Sequence, residues 1–303
     1  MADLPRNGEL LELAKKFATD QALSEHLNVP RTTLRDHIYR IGMREAVNEV
    51  RALTALDEMP TIVRDYTHLD TLYLYPFGDV HIGAASHDQE LWESWLHYLI
   101  NRKDASMLGM GDFLNTAIIG SKSDVYEETL TPGEAKRQLR DQLKPLADEK
   151  RIDAMMPGNH EDRITRAIGD CPIQDVAEQL GVPYVRAAAV FVYFVGNQEY
   201  HIYARHGTGN GQSLSALRKS QDVVPGMDIY ITGHTHKQQN IKENSFRLDT
   251  KKLRVARHKV YFTSAGSFLG YENYAAQRGY AAGAKGAPRI RLSGTSWDTH
   301  VSF

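Results

Sequence analysis

The sequence predicts an α/β domain that is preceded by a small all-α domain. Before about residue 68 the apolar residues recur at helical spacing, whereas after it short β-rich apolar runs alternate with helical segments. A length of 303 residues suits one large domain with a small appendage. We therefore expect a helical domain over residues 1–50, a linker over 51–68 and the α/β domain over 69–303.

Composition excludes several classes of protein. The chain is 42% hydrophobic and 24% charged, which is typical of globular proteins, and its net charge is −2, so any affinity for nucleic acid must come from local patches. The single cysteine, Cys171, cannot form an intramolecular disulfide, which fits a reducing compartment. The longest apolar run, Ala187–Val195, is about half the ~20 residues that a membrane helix requires, and residues 1–16 lack the apolar core of a signal peptide. We expect a cytoplasmic protein without a membrane span.

The first fifty residues have the spacing of three short helices. Gly8–Ala18 contains an apolar stripe, which indicates the first helix. Thr19 or Asp20 can cap a second helix over Gln21–Leu27. Pro30 can open the third helix, because proline is tolerated in a first turn.

The third helix has one apolar and one polar face. Leu34, Ile38 and Ile41 are spaced to face inward. The candidate DNA-binding residues left facing outward are Arg31, Thr32, Arg35 and His37. Two short helices joined by a tight turn, with Arg and Thr on the second, are typical of a DNA-binding helix-turn-helix, and residues 30–44 carry a net charge of +3. The alternative is a packing or dimerisation module, so a homodimer stays open.

The α/β domain has alternating strand and helix signals. The expected strands are Thr71–Phe77, Ala105–Met110, Ile152–Met156, Val190–Val195, Glu199–Arg205, Asp228–Thr232 and Lys259–Ser264. The expected helices are Gln89–Asn101, Pro132–Asp148, Ile173–Leu180 and Ser213–Val223. Thr131 and Glu134 have the spacing of a capping box at the start of the second of these helices. The polar stretch Asn115–Leu130 lacks periodicity and is a candidate lid or substrate loop.

Five polar segments hold the same position in this pattern, because each follows an apolar strand and opens a loop. They are Gly78-Asp79-Val80-His81, Gly111-Asp112, Gly158-Asn159-His160-Glu161, His206-Gly207 and Gly233-His234-Thr235-His236. In open α/β sheets, ligands collect at the carboxyl ends of the strands. We therefore expect the five segments to converge on one site.

The residue types in these segments predict a metal site. Asp79 and His81 are two residues apart, so their side chains point the same way in an extended segment, as do those of His234 and His236. Carboxylate, imidazole and amide ligands suit manganese, iron, zinc or nickel rather than calcium. Asp112 can bridge two ions ~3.5–4 Å apart, an arrangement that would clamp a phosphate.

Taken in order, the five segments resemble the calcineurin-like metallophosphoesterase superfamily over about residues 71–266. The resemblance implies two β-sheets packed face to face with helices outside, an αββα sandwich. It also implies two divalent metal ions, with manganese the first choice. The ligands of one ion would be Asp79, His81, Asp112 and His236, and those of the other Asp112, Asn159, His206 and His234. His160 would protonate the leaving oxygen or stabilise charge in the transition state, unless it only hydrogen-bonds to a ligand.

The chain departs from one branch of that superfamily. Protein-phosphatase members carry an Asp, which orients the catalytic histidine, and then an Arg, where this chain has Asn115 and Thr116. We count Asn115 with His160 as a candidate catalytic residue, but the departure argues against a phosphoprotein phosphatase. DNA-repair-nuclease members also depart there, and residues 157–163 look most like phage-type members. Arg163 can bind a substrate phosphate bidentately, or it can pair with Asp162 or a neighbouring helix.

Two further clues concern the substrate. Residues 237–259, which begin at Lys237, carry a net charge of +6 and can follow a polyanion, although a solvated hairpin explains them as well. Tyr271 lies in a stretch of aromatic and basic residues that can stack on bases or pack in the core. The sequence thus predicts a phosphodiesterase or nuclease that acts on DNA. The alternatives are a nucleotide phosphatase or cyclic-nucleotide phosphodiesterase, and a DNA-binding regulator whose metal site is structural.

Overall fold

The computed structural model describes residues 4–5, 7–17, 19–43, 47, 59–118, 125–207, 217–249, 253–270 and 284–303. The chain forms two compact units, Met1–Met59 and Pro60–Phe303. Each unit has a hydrophobic core of its own.

The first unit contains three helices. They are α1 (Asn7–Lys16), α2 (Asp20–His26) and α3 (Arg31–Arg40). Thr19 caps α2, because its Oγ1 accepts a hydrogen bond from the backbone N–H of Ala22 at 3.1 Å. Leu34 and Ile38 are fully buried, as their spacing predicts, and they pack in one core with Leu10.

The outward face of α3 holds three of the four candidate DNA-binding residues. Arg31, Thr32 and Arg35 are exposed. His37 differs from the expectation, because it is half-buried and its Nε2 lies 2.9 Å from the carbonyl oxygen of Pro5. The reason is helical geometry: His37 lies three residues after the buried Leu34 and so shares part of its face. DNA binding by this unit stays a prediction.

The second unit is built on two mixed β-sheets. The six-stranded sheet has the order β1 (Thr61–Tyr66), β5 (Ala188–Val195), β6 (Gln198–Arg205), β7 (Ile229–Thr232), β9 (Arg254–Ser264) and β8 (Asn240–Asp249). The five-stranded sheet has the order β11 (Thr299–Ser302), β10 (Arg289–Ser293), β2 (Thr71–Phe77), β3 (Ala105–Gly109) and β4 (Ile152–Met155). The helices are α4 (Gln89–Ile100), α5 (Pro132–Asp148), α6 (Asn159–Ile168), α7 (Pro172–Leu180) and the short α8 (Ser220–Val223), with a 3₁₀ turn at Val125–Glu127.

The alternating side chains of β2 show how the layers form. Leu72 and Leu74 point into the core between the two sheets, whereas Tyr75 and Phe77 point into the core beneath the helices. Buried residues of α4, α5 and α7 complete that outer core. On the outside of the other sheet, the hydroxyl of Ser220 in α8 accepts a hydrogen bond from Arg205 Nε at 3.0 Å. The prediction of a two-sheet α/β sandwich with helices outside is confirmed.

Several elements differ from the sequence-based expectation. The expected linker contains strand β1, which pairs in parallel with β5. Because its residues alternate between exposed and half-buried positions, no apolar run marks this strand in the sequence. Strands β10 and β11 were also not expected, and β8 was anticipated only as one arm of a solvated hairpin. Helix α6 begins at Asn159, inside a segment that was expected to be a loop. Of the helix expected over Ser213–Val223, α8 accounts for the last four residues, while 213–216 lie outside the described residues.

A buried carboxylate joins the edges of the two sheets. Asp153 of β4 is fully buried and accepts hydrogen bonds from Tyr66 (2.6 Å), Ser106 (2.9 Å) and Tyr193 (2.8 Å). Arg64 of β1 lies 3.5 Å from the same carboxylate. Burial raises the pKa of Asp153, and these partners oppose that shift. The cluster therefore connects β4 with β1 and β5 across the sandwich.

Tyr193→Phe is expected to lower the free energy of unfolding by about 1–3 kcal/mol, because it removes one donor from a buried carboxylate. Urea denaturation followed by far-UV circular dichroism measures this change. The control is Tyr126→Phe, which removes the same hydroxyl from a side chain that is 96% exposed. Equal midpoints for Tyr193→Phe and the wild type would contradict the stabilising role of the Asp153 cluster.

Among the residues that the structure describes, no helix combines the length and the apolar character that a membrane span requires.

Candidate metal centre

The structure brings the five polar segments together at the carboxyl ends of β2, β3, β4, β6 and β7. Two groups of side chains have ligand atoms close enough to hold a metal ion. The first group is Asp79, His81, Asp112 and His236, and the second is Asp112, His206 and His234. Asn159 adjoins the second group, since its Oδ1 lies 3.3 Å from Nε2 of His206. Asp112 belongs to both groups, and we call the seven residues together the Asp/His cluster.

The backbone of the Asp/His cluster is strained. The five residues of the cluster with a positive φ are Asp79 (51°), His81 (55°), Asp112 (52°), His234 (69°) and His236 (52°). Residues other than glycine rarely adopt this left-handed conformation, which costs about 1–2 kcal/mol at each position. Such strain persists only where the surrounding structure enforces it, and it concentrates at functional sites.

The backbone around Asp112 is packed too closely for side chains at two glycines. A Cβ atom on Gly158 would lie 2.1 Å from Oδ1 of Asp112, and one on Gly111 would lie 2.5 Å from the backbone nitrogen of Gly158. This close approach lets the backbone N–H of His160 donate to Oδ1 of Asp112 at 2.8 Å. Gly111 and Gly158 therefore allow the loop that carries Asp112 to pack against the loop that carries Asn159.

Hydrogen bonds orient the imidazole of His206. Its Nδ1 lies 2.7 Å from the carbonyl oxygen of Met110, and a carbonyl only accepts, so Nδ1 carries the proton. Its Nε2 faces the cluster, 3.2 Å from Oδ2 of Asp112. Burial opposes a charge on this ring, but the Asp112 carboxylate outweighs burial and raises the pKa of His206 to about 10.

Three observations show that the cluster fits a divalent cation. Oδ1 of Asp79 is buried without a hydrogen-bond partner among the described residues, although Nε2 of His236 lies 3.1 Å away. Nε2 of His81 lies only 3.3 Å from Nε2 of His236, so two ring nitrogens face each other. The pKa of His236 is raised like that of His206: burial lowers it, but the Asp79 charge prevails. The site thus holds an unsatisfied carboxylate oxygen and facing ring nitrogens that converge on one region, which a cation would satisfy.

His160 lies beside the first group, with its ring centroid 4.3 Å from that of His81. Its Nδ1 lies 2.9 Å from the backbone carbonyl oxygen of Asn115, so the main chain of Asn115, rather than its side chain, orients this histidine. Burial lowers the pKa of His160 to about 4, which leaves the ring neutral near pH 7 with its lone pair on Nε2.

The three expected substrate-binding residues have different surroundings. Arg163 is half-buried in α6, and burial lowers its pKa. The carboxylates of Asp112 and Glu161 partly offset that shift, which places Arg163 near the cluster. Lys237 directly follows the cluster, and its backbone carbonyl accepts a hydrogen bond from the Ser264 hydroxyl. Tyr271 lies outside the described residues.

The basic stretch after Lys237 forms the antiparallel hairpin β8–β9. Two of its cations are paired within the unit, because Arg247 lies 2.9 Å from Asp228 and Lys259 lies 3.3 Å from Asp298. These pairs reduce the charge that the hairpin can offer to a polyanion.

One residue of the site was not predicted from the sequence: Glu161, whose side chain supports the backbone around Asp112. Its fully buried carboxylate accepts hydrogen bonds from the backbone N–H groups of Asp112 (3.0 Å), Leu114 (2.8 Å) and Gly158 (2.8 Å). Burial raises the pKa of Glu161 to about 7. One signal was present in the sequence: Glu161 is the third residue of α6, where a glutamate caps the helix start.

The sequence matches no protein-family model and no curated protein sequence. Among solved structures, zinc-complexed Vps29 from Entamoeba histolytica is similar at 17% identity and a TM-score of 0.37, over 76% of this chain and 98% of that one. A predicted phosphoesterase from Streptococcus pneumoniae is similar at 12% identity and a TM-score of 0.31, over 77% of this chain and 97% of that one. Because both TM-scores lie below 0.5, neither likeness bears on the site.

Proposed function

We propose that the chain is a metal-dependent phosphoesterase that works with two divalent ions. The observation that carries this proposal is the position of Asp112, whose carboxylate belongs to both groups of potential ligands. Asp79, His81, Asp112 and His236 would hold one ion, and Asp112, Asn159, His206 and His234 the other. Manganese is the proposed metal, with iron, zinc or nickel as alternatives, because imidazole, carboxylate and amide donors suit such ions.

The chain's own groups have distinct roles in this proposal. Bound divalent ions supply Lewis acidity, which makes water a better nucleophile and offsets negative charge on a phosphoryl group. The carbonyl of Asn115 holds the neutral His160 ring so that Nε2, which can take a proton from the attacking water, would be the atom that passes it to the leaving oxygen. Arg163 adds a positive charge for the phosphate oxygens.

The proposed substrate is DNA, hydrolysed at its phosphodiester bonds. The exposed Arg31, Thr32 and Arg35 of α3 support it, because such side chains can contact the edges of bases and phosphates in a major groove. The exposed cations Lys242 and Arg257 of the β8–β9 hairpin offer two further contacts for phosphates. The departures at Asn115 and Thr116 also favour a nuclease over a phosphoprotein phosphatase.

A cleavage panel tests the proposal. The manganese-loaded protein is expected to hydrolyse bis-p-nitrophenyl phosphate and DNA, and a chelator should abolish both activities. The panel includes single-stranded and duplex DNA, RNA, cyclic nucleotides and mononucleotides. Cleavage of monoesters alone would contradict the nuclease and favour a nucleotide phosphatase. Tight DNA binding without hydrolysis under any divalent ion would contradict the phosphoesterase and favour a DNA-binding regulator.

A further inference from the structure

We infer that Glu128 is a positioning residue for His81: it orients the side-chain amide of Asn115, which then determines which ring nitrogen of His81 faces the Asp/His cluster. The inference rests on the proposed role of His81 as a metal ligand. Neither Glu128 nor its neighbours in the chain resemble a metal motif, so only the structure points to this role.

Glu128 contacts the side-chain amide of Asn115 directly. Oε1 of Glu128 lies 2.6 Å from Nδ2 of Asn115 and 3.0 Å from the backbone nitrogen of Ala117. Because Ala117 N–H can only donate, this oxygen acts as an acceptor, and the neighbouring Asn115 group must be the NH₂ side of the amide. Glu128 thereby settles the orientation of an amide whose two ends could otherwise be exchanged.

Asn115 in turn contacts the ring of His81. With its NH₂ group directed at Glu128, the amide presents Oδ1 to Nδ1 of His81 at 3.4 Å, a long hydrogen bond. An amide oxygen only accepts, so Nδ1 of His81 carries the proton. Its Nε2 then has the free lone pair, and Nε2 is the atom that faces His236 (3.3 Å) and Asp79 (3.9 Å). Outer partners of this kind fix the tautomer of histidine ligands.

Backbone contacts with the loop after His81 hold Glu128 in place. Residues Ala84 and Glu128 form an isolated β-bridge, and the backbone N–H of Thr129 donates to the carbonyl of Gly83 at 2.7 Å. Gly83 has a φ of +102°, and a Cβ there would lie 2.9 Å from Oε2 of Glu128. The carboxylate therefore packs directly on the loop that follows His81. At its two described ends, the expected lid Asn115–Leu130 contacts His81 through Asn115 and the loop after His81 through Glu128 and Thr129.

Titration with Mn²⁺ in a calorimeter tests the inference on the full chain. Glu128→Ala is expected to weaken one of the two binding events about 10- to 100-fold and to leave the other unchanged, because His81 belongs to one group only. Glu128→Gln keeps an acceptor oxygen and should restore the affinity. Glu127→Ala is the matched control, since it removes the same charge from the exposed neighbouring residue.

Two further variants separate positioning from a structural role. If Glu128 acts through Asn115, adding Glu128→Ala to Asn115→Ala should not lower the Mn²⁺ affinity further. If Glu128→Ala does not fold, Glu128→Asp keeps the charge but shortens the side chain and should weaken the same binding event. Additive effects in the double variant, or folded Glu128 variants with wild-type affinity at both sites, would overturn the inference alone. A wild-type chain that binds no divalent ion would overturn the proposed function and this inference together.

Discussion

Asp112→Asn is expected to lower kcat/KM for bis-p-nitrophenyl phosphate about a thousandfold, or roughly 4 kcal/mol of transition-state stabilisation. The substitution keeps the shape of the side chain and an oxygen for the backbone N–H of His160. It removes the negative charge that both groups of ligands share, so both metal sites lose a ligand of full charge at once. No other residue of the Asp/His cluster belongs to both groups.

Calorimetric titration with Mn²⁺ checks the cause of this loss. The wild type should bind two ions and Asp112→Asn fewer than two at the same concentration, while circular dichroism shows that the variant is folded. Asp141→Asn is the control, because it makes the same exchange at an exposed position of α5. A variant that keeps both ions and its activity would show that Asp112 does not bridge them, and the two-ion proposal would fail.

The largest expected effect on stability follows from Glu161→Ala. The free energy of unfolding should fall by about 3–5 kcal/mol, because three buried backbone N–H groups lose their shared acceptor. The segment that carries Asp112 would shift as well, so we expect weaker binding of both ions rather than of one.

Chemical denaturation and Mn²⁺ titration measure the two consequences. Glu161→Gln should recover part of the stability, since its amide oxygen can still accept. Glu134→Ala provides a matched comparison: Glu134 is also the third residue of its helix and completes a capping box, but it is exposed, so its loss should change the midpoint little. If both alanine variants unfolded at the same midpoint as the wild type, the supporting role of Glu161 would be wrong.

The sequence predicted those parts of the fold that local patterns encode. The seven expected strands carry apolar runs, and the capping box at Thr131 follows from side-chain chemistry within four residues. Strand β1 was not predicted, because its residues alternate between exposed and half-buried positions. Its place in the sheet depends on pairing with β5, more than a hundred residues later.

The same distinction holds for the candidate metal centre. Asp79, His81 and the other expected ligands were recognisable because each follows a strand in a short polar motif. The roles of Glu161 and Glu128 depend on partners brought close by the fold, such as Leu114 for Glu161 and the loop after His81 for Glu128. Contacts of this kind leave no periodic signal in one sequence.

The left-handed backbone at five residues of the Asp/His cluster sets the proposed chemistry against stability. Glycine at each of these positions would lower the backbone strain, because it adopts a positive φ without a steric penalty. Glycine, however, has no side-chain atom that could bind an ion. Selection for stability and selection for activity therefore favour different residues at the same five positions. Glycine at these positions is expected to relieve backbone strain and to remove the candidate ligand atoms in the same step.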